Sequence, residues 1–453
     1  MRAVLVSTYD LGRQPFGLAS PAAWLRRAGI ETICVDTSRE ALGDHHLAGA
    51  SLVAFYLPMH TATRLAGPLI ARARGVRPEA TFAAYGLYAP LNRDWLEGRG
   101  ITHVLGPEAE EELVALAQSN SQLPIPDSQV VPRLQFIAPD RIGLPPLARY
   151  ASLQMPDGTH RVMGSTDATR GCKHLCRHCP IVPVYKGQFR VVPLDVVFED
   201  IASQVGEGAR HITFGDPDFF NGPTHARRLV ERLATDHPGL TYDVTIKIEH
   251  LLNHAEMLPL LRDTGCLFVT SAVESIDDEI LARLRKGHTR ADFVRAVRLC
   301  REAGLRLTPT FIPFNPWTTL GGYVELLDVL ETLDLVEDVA PIQLAIRLLI
   351  TAESPLFELG DVRAATTAFD GASLTWPWRH RDPRVDALQA SVMRIVGERG
   401  DGSRADAFHA ISTLARGEIG LAAAPMAQRP RVAVPRVSEP WYCCAEPVEP
   451  VGI

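Results

Sequence analysis

The sequence predicts an α/β protein with a doubly wound parallel sheet, then a partial (β/α) barrel, then a small helical region with an extended tail. Two observations predict the sheets. Short apolar runs alternate with helix-like segments from residue 1 to about 120, and six further strand-and-helix units follow between about 161 and 358. A third predicts the ending, because Pro425, Pro430, Pro435, Pro440, Pro447 and Pro450 punctuate residues 425–453 too often for a helix.

In chain order, residues 1–120 offer Ala3–Val6, Thr32–Val35, Leu52–Phe55, Thr81–Ala84 and His103–Leu105 as buried strands. Between the first two lies a helix from Pro21 that stops at Gly29. Such an alternation is Rossmann-like, and ligands of these sheets bind beyond the carboxyl ends of the strands, where the first loop is Thr8 to Gly17. Residues 121–160 begin rich in Ser, Pro and Gln and read as a linker. Residues 161–358 supply candidate strands Gly164–Thr169, His211–Phe214, Tyr242–Ile248, Leu267–Ser271, Leu305–Phe311 and Pro341–Leu349. They predict a partial (β/α)6 barrel of the TIM type, whose chemistry gathers at the carboxyl ends of its strands. Residues 359–424 read as helical.

Composition narrows the function classes. The 453 residues are 46% hydrophobic and 22% charged, with no apolar run near the length that spans a bilayer, so a soluble cytoplasmic protein is expected. A net charge of −7 argues against broad contact with nucleic acid or anionic membrane. Eight cysteines without a secreted spacing fit a reducing compartment, and Cys34, Cys266 and Cys300 read as small buried hydrophobes.

The remaining cysteines carry chemistry. Cys172, Cys176 and Cys179 form a Cys-x3-Cys-x2-Cys loop directly after the first predicted barrel strand. Iron-sulfur clusters usually take four cysteines, so three thiolates leave one iron with an open position for a cofactor or substrate. A zinc reading competes, with His174 or His178 as the fourth ligand of a non-catalytic metal or redox sensor.

The run Arg170-Gly171-Cys172, with Cys176 and Cys179, resembles the signature of the radical S-adenosylmethionine superfamily. That resemblance implies a [4Fe-4S] cluster on the three cysteines and S-adenosylmethionine chelating the open iron. It also implies reductive cleavage of a carbon-sulfur bond, usually giving a 5′-deoxyadenosyl radical. His178 departs from the pattern, which commonly has an aromatic residue there. Phe214-Gly215-Asp216-Pro217-Asp218 resembles the segment that receives the methionine ammonium, which makes Gly215, Asp216 and Asp218 cofactor contacts. Glu274 and Ser275, ahead of Leu284-Arg285-Lys286-Gly287-His288, resemble the ribose and carboxylate contacts. Arg347, in an apolar stretch, needs an anionic partner, either a cofactor carboxylate or a structural ion pair.

Residues 1–120 resemble the cobalamin-binding domain found ahead of many of these enzymes, in the Gly12 to Gly17 loop, the Tyr85-Gly86 turn and the Leu105 to Glu110 end. Cobalamin is therefore a candidate third cofactor, although Asp10-Leu11-Gly12 lacks the histidine that often ligates cobalt. The tail Cys443-Cys444-Ala445-Glu446-Pro447 resembles the ending of a radical group named for it, so Cys443 and Cys444 are candidate catalytic thiols. Methyl transfer is expected if cobalamin binds, and arsenic or selenium chemistry at the dithiol if it does not. A tRNA-modifying enzyme is a further alternative. The expected partners are a small-molecule substrate and an external electron donor such as flavodoxin or ferredoxin.

Overall fold

The structure, a computed structural model, describes residues 1–118, 131–399, 402–422 and 433–439, so Cys443 and Cys444 lie outside the described residues. The N-terminal part folds as expected. Strands β1 (Arg2–Ser7), β2 (Glu31–Asp36), β3 (Leu52–Tyr56), β4 (Thr81–Tyr85) and β5 (His103–Val104) form a parallel sheet in the order β2-β1-β3-β4-β5. Their apolar runs are buried on both faces, as a sheet covered by helices requires. The order reverses between β1 and β3, so the loop after β1 opens onto the crevice where such sheets bind ligands.

The second sheet adds β6 (Ser152–Gln154), β7 (His160–Thr166), β10 (His211–Phe214), β11 (Thr241–Thr245), β12 (Cys266–Glu274), β13 (Arg306–Phe311) and β14 (Arg436–Val437) in the order β13-β12-β11-β10-β7-β6-β14. Strands β7 and β10 to β13 are parallel, whereas β6 and β14 are antiparallel additions at the edge. A separate hairpin of β8 (Thr169–Gly171) and β9 (Phe189–Val191) carries the cysteine loop between its strands. The covering helices follow local chemistry. Thr289 and Asp292 make a reciprocal capping box for helix Arg290–Glu302, whose Phe293, Ala296, Val297 and Cys300 form one buried face.

Two expectations are corrected. Pro341–Leu349 is no strand, because Pro341 lacks the N–H a ladder needs; the segment makes a short 3₁₀ turn at Pro341–Leu344 and one bridge between Phe314 and Arg347. Residues 131–160 also do more than connect. They contribute β6 and Arg141, whose guanidinium donates to both oxygens of Asp200 at 2.7 and 2.9 Å, to Gln14 Oε1 at 2.8 Å and to the Ser165 carbonyl at 2.7 Å. This buried fork ties the first loop of the N-terminal sheet to the barrel. Helices Pro383–Arg399 and Arg404–Glu418 pack Val385, Leu388, Val392, Phe408 and Ile411 into the barrel's own core.

Candidate active site

The cysteine loop leaves β8 at Gly171, where φ is +76° and a β-carbon would lie 2.4 Å from the Tyr185 ring, so only glycine fits the turn. Asn221 holds the loop from behind. Its Oδ1 accepts from the Lys173 N–H at 3.3 Å and lies 3.9 Å from Cys172 Sγ, while its Nδ2 donates to the Gly171 carbonyl at 3.4 Å. Cys172, Cys176 and Cys179 are free thiols. Burial pushes Cys172 up to about 12 and raises Cys176, which Lys286 and Lys247 oppose. Thiols held reduced, buried and near two lysines fit an iron-sulfur cluster, whose binding takes the thiolate form and expels the protons.

The imidazoles of the zinc reading point elsewhere. His178 Nε2 donates to Glu274 Oε1 at 3.1 Å, and burial lowers its pKa against the pull of that carboxylate. His174 turns to Asp218, with Nε2 3.4 Å from Oδ2.

The expected cofactor contacts divide into three kinds. Gly215 stands at the carboxyl end of β10, where a β-carbon would sit 2.4 Å from the movable Asp167 carboxylate. Asp216 is committed to the fold. It accepts from the Ala168 N–H at 2.9 Å and the Thr169 hydroxyl at 2.5 Å, stapling β10 to the start of β8, and burial raises its carboxyl to about 7. Asp218 and Glu274 are buried carboxylates inside cationic surroundings. Burial opposes the charge on Glu274, yet Lys286 at 3.3 Å and His178 hold its carboxyl down at about 2. Glu274 also sits at φ +69°, beside a break in the β12–β13 register, a conformation a non-glycine residue adopts only when its surroundings impose it.

Ser275 accepts from the Asp277 N–H at 3.0 Å, and Asp277, not Ser275, caps the helix that follows. Arg347 donates to Asp386 at 2.7 Å and to the Trp378 carbonyl at 2.6 Å and lies over the Trp378 ring, the structural ion pair of its two expected roles. Sequence reasoning missed Asn221 and His250. Asn221 carries no motif, and His250 stands two residues past the end of a run read as strand, within helix Ile248–Asn253.

A cavity of about 250 Å³ lies where the carboxyl ends of the two sheets meet, lined by Arg13, Tyr56 and Tyr88 from one side and Asp167, Gly171, Gly215 and Pro217 from the other. Its size and its glycines suit S-adenosylmethionine methionine-end contacts and a small substrate. The Tyr56 and Tyr85 rings, 5.4 Å apart, line the same cavity, with Tyr85 donating to the Gly17 carbonyl at 2.7 Å. A second cavity of about 70 Å³ lies in the barrel lumen among Thr213, Asp243, Thr270 and Thr308, and the described tail, Pro435 to Glu439, forms one wall of it.

A three-thiol loop at the carboxyl end of a half-barrel of parallel strands defines a class. Residues 167–329 match the family described as the Radical SAM superfamily, so the chain carries a radical S-adenosylmethionine domain, the kind that holds a [4Fe-4S] cluster and S-adenosylmethionine. It is similar to tRNA-2-methylthio-N(6)-dimethylallyladenosine synthase of Fusobacterium nucleatum, 28% identical over 188 residues, covering 37% of this chain and 40% of that one. It is similar also to the ribosomal protein uS12 methylthiotransferase RimO of Parabacteroides distasonis, 27% identical over 170 residues, covering 35% and 38%. The chain thus spans about two fifths of the length of the curated relatives it matches. Among solved structures, the radical S-adenosylmethionine methyltransferase TsrM of Kitasatospora setae superposes with a TM-score of 0.59 at 20% identity, over 74% of this chain and 71% of that one. The cobalamin-dependent radical enzyme OxsB superposes with a TM-score of 0.64 at 12% identity, over 87% and 66%. These likenesses establish a shared fold across both sheets. No described helix is long and apolar enough to cross a membrane.

Proposed function

We propose that this chain is a cytoplasmic radical S-adenosylmethionine enzyme that transfers a group to a small molecule, with the Cys443–Cys444 dithiol taking part. The observation that carries this reading is the place of Glu439. Tyr9 donates to its carboxylate, and Gly12 has no side chain to collide with it. Glu439 therefore sits where the loop after β1 meets the barrel lumen. Cys443 follows four residues later, and four extended residues cover about 13 Å. In this reading the thiols extend from that anchor toward the cysteine loop. Adjacent thiols suit capture of a soft element such as arsenic or selenium, or hydrogen exchange with a substrate radical.

In this reading Cys172, Cys176 and Cys179 hold the cluster, which when bound supplies one electron for cleavage of S-adenosylmethionine. Gly215 leaves room for the methionine end, and Glu274 with Lys286 offers a polar wall. An external one-electron donor such as flavodoxin or ferredoxin is required. A nucleic-acid substrate is disfavoured by the net charge of −7.

Anaerobic reconstitution tests the reading. The protein should cleave S-adenosylmethionine once reduced, and Cys443→Ala with Cys444→Ala should preserve that cleavage while abolishing transfer of label from S-adenosylmethionine to arsenite or selenite. Label transfer by the double variant at the wild-type rate would remove the dithiol from the mechanism. The 2-1-3-4-5 strand order and the fold shared with OxsB favour a second reading, cobalamin-dependent methyl transfer. Corrinoid absorbance retained after desalting with added cobalamin would select it.

A further inference from the structure

Beside the cysteine loop lies a second convergence of ligand-type atoms. His174 comes from within the loop, Asp218 from the turn after β10, and His250 from the helix after β11. Asp218 Oδ2 is 2.7 Å from His250 Nδ1 and 3.4 Å from His174 Nε2, and the three atoms all lie within 4.8 Å of one another. The two rings stand 4.7 Å apart and are tilted by 59°, so they converge on the carboxylate rather than stack. The site is buried, with Asp218 and His250 side chains 0% and 4% exposed.

Short distances alone would describe a His–Asp–His hydrogen-bonded clasp. The angles do not: Asp218 Oδ2, His250 Nδ1 and His174 Nε2 are each buried without a partner in hydrogen-bonding geometry. Three buried polar atoms in near contact yet unpaired are costly unless something else satisfies them. Two ligands held about 2.0–2.1 Å from one ion stand roughly 2.9–3.4 Å apart for bond angles between 90° and tetrahedral, close to what is seen.

Two of the three also have neighbours behind their ligand atoms. Asp218 Oδ1 accepts from the N–H groups of Phe220 at 3.3 Å and Lys247 at 3.4 Å, which aims Oδ2 at the imidazoles. His174 Nδ1 faces a carboxylate, Glu249 Oε2, at 3.7 Å, an ion-pair distance.

We propose that His174, Asp218 and His250 form a second metal site, separate from the three cysteines, for one divalent first-row ion of the zinc or iron(II) kind. Two imidazoles and one carboxylate are the donor set of catalytic zinc and of non-haem iron sites, and three protein ligands leave a position open. The ion would bind the cysteine loop to the ends of β10 and β11. The proposal does not depend on the group transferred, and its test needs no turnover.

Holoenzyme reconstituted with iron and sulfide is incubated with Zn²⁺, desalted, and assayed for both metals by mass spectrometry and at the zinc X-ray edge. The expected result is about one zinc per chain beside the iron of one cluster, with nitrogen and oxygen neighbours near 2.0–2.1 Å and no sulfur near 2.3 Å. Asp218→Asn and His250→Gln should each cut zinc at least tenfold while iron is kept. The proposal is overturned if no zinc is retained, if sulfur surrounds the zinc, or if the variants hold as much zinc as the wild type. Should both variants fail to fold, the zinc content and edge spectrum of the wild type decide alone.

Discussion

Arg170, two residues before the first cluster cysteine, donates to Glu110 at 2.7 Å across the boundary between the two sheets, and both side chains are buried. Ser20 completes the join, donating to the same Glu110 oxygen at 2.7 Å and accepting from Arg170 at 3.1 Å. The residue that opens the cysteine loop is thus held by the N-terminal sheet domain. Removing one partner of such a pair strands a buried charge and costs about 3–5 kcal/mol. Glu110→Ala should lower unfolding stability by that amount in denaturant titration and reduce iron uptake in the same preparation.

Asn221→Ala removes the amide that braces Gly171, Lys173 and Cys172. Lost hydrogen bonds of this kind cost about 1 kcal/mol each. The expected effect is a modest loss of stability and cluster bleaching in air several-fold faster than wild type, followed by absorbance near the cluster band. Equal bleaching rates would show that the loop holds without it.

Glu108 gives the protein a pH dependence. It is 1% exposed, neither carboxylate oxygen meets a partner in hydrogen-bonding geometry, and burial raises its pKa to about 7. A folded-state pKa above the unfolded value of about 4.5 means that stability is greatest below pH 4.5 and is lost as pH rises through 7. Across that window the loss is on the order of 2–3 kcal/mol. Glu108→Gln should flatten the melting temperature between pH 5 and 8, where the wild type should fall.

Glu274 works with the opposite sign. Held down at about 2, it contributes stability that is complete above pH 4.5 and disappears as pH falls through 2. Glu274→Gln removes the carboxylate that Lys286 faces at 3.3 Å, so a loss of about 3–5 kcal/mol at pH 7 is expected, shrinking toward pH 2.

The anchoring of Glu439 predicts how the thiols react. Glu439→Ala should raise the rate at which Cys443 and Cys444 are alkylated by iodoacetamide several-fold, read by peptide mass spectrometry. Tyr9→Phe should do the same to a smaller degree, since Tyr9 is the donor to that carboxylate.

Much of this architecture was legible in the sequence because it rests on local pattern. Buried parallel strands read as apolar runs, and the cysteine loop announces itself by spacing. Pro341–Leu349 misled for the same reason, being apolar like a strand although its proline removes a ladder donor. The edge strands β6 and β14 were hidden, since three and two residues carry no periodicity and their pairing joins Leu153 and Gln154 to Val437 and Arg436. The candidate site was legible at its glycines and cysteines. The partners of its carboxylates were not: Asp218 with His174 and His250, and Glu274 with His178 and Lys286, meet only through the closing of the barrel.

The pairing of β14 with β6 sets an order of assembly. Residues 436 and 437 emerge from the ribosome after every other described strand, and only then can that flank of the sheet be finished. Until that moment the lumen has no wall on the side that Pro435 to Glu439 later supplies. A chain shortened before Pro435 would be expected to leave that cavity open on one side.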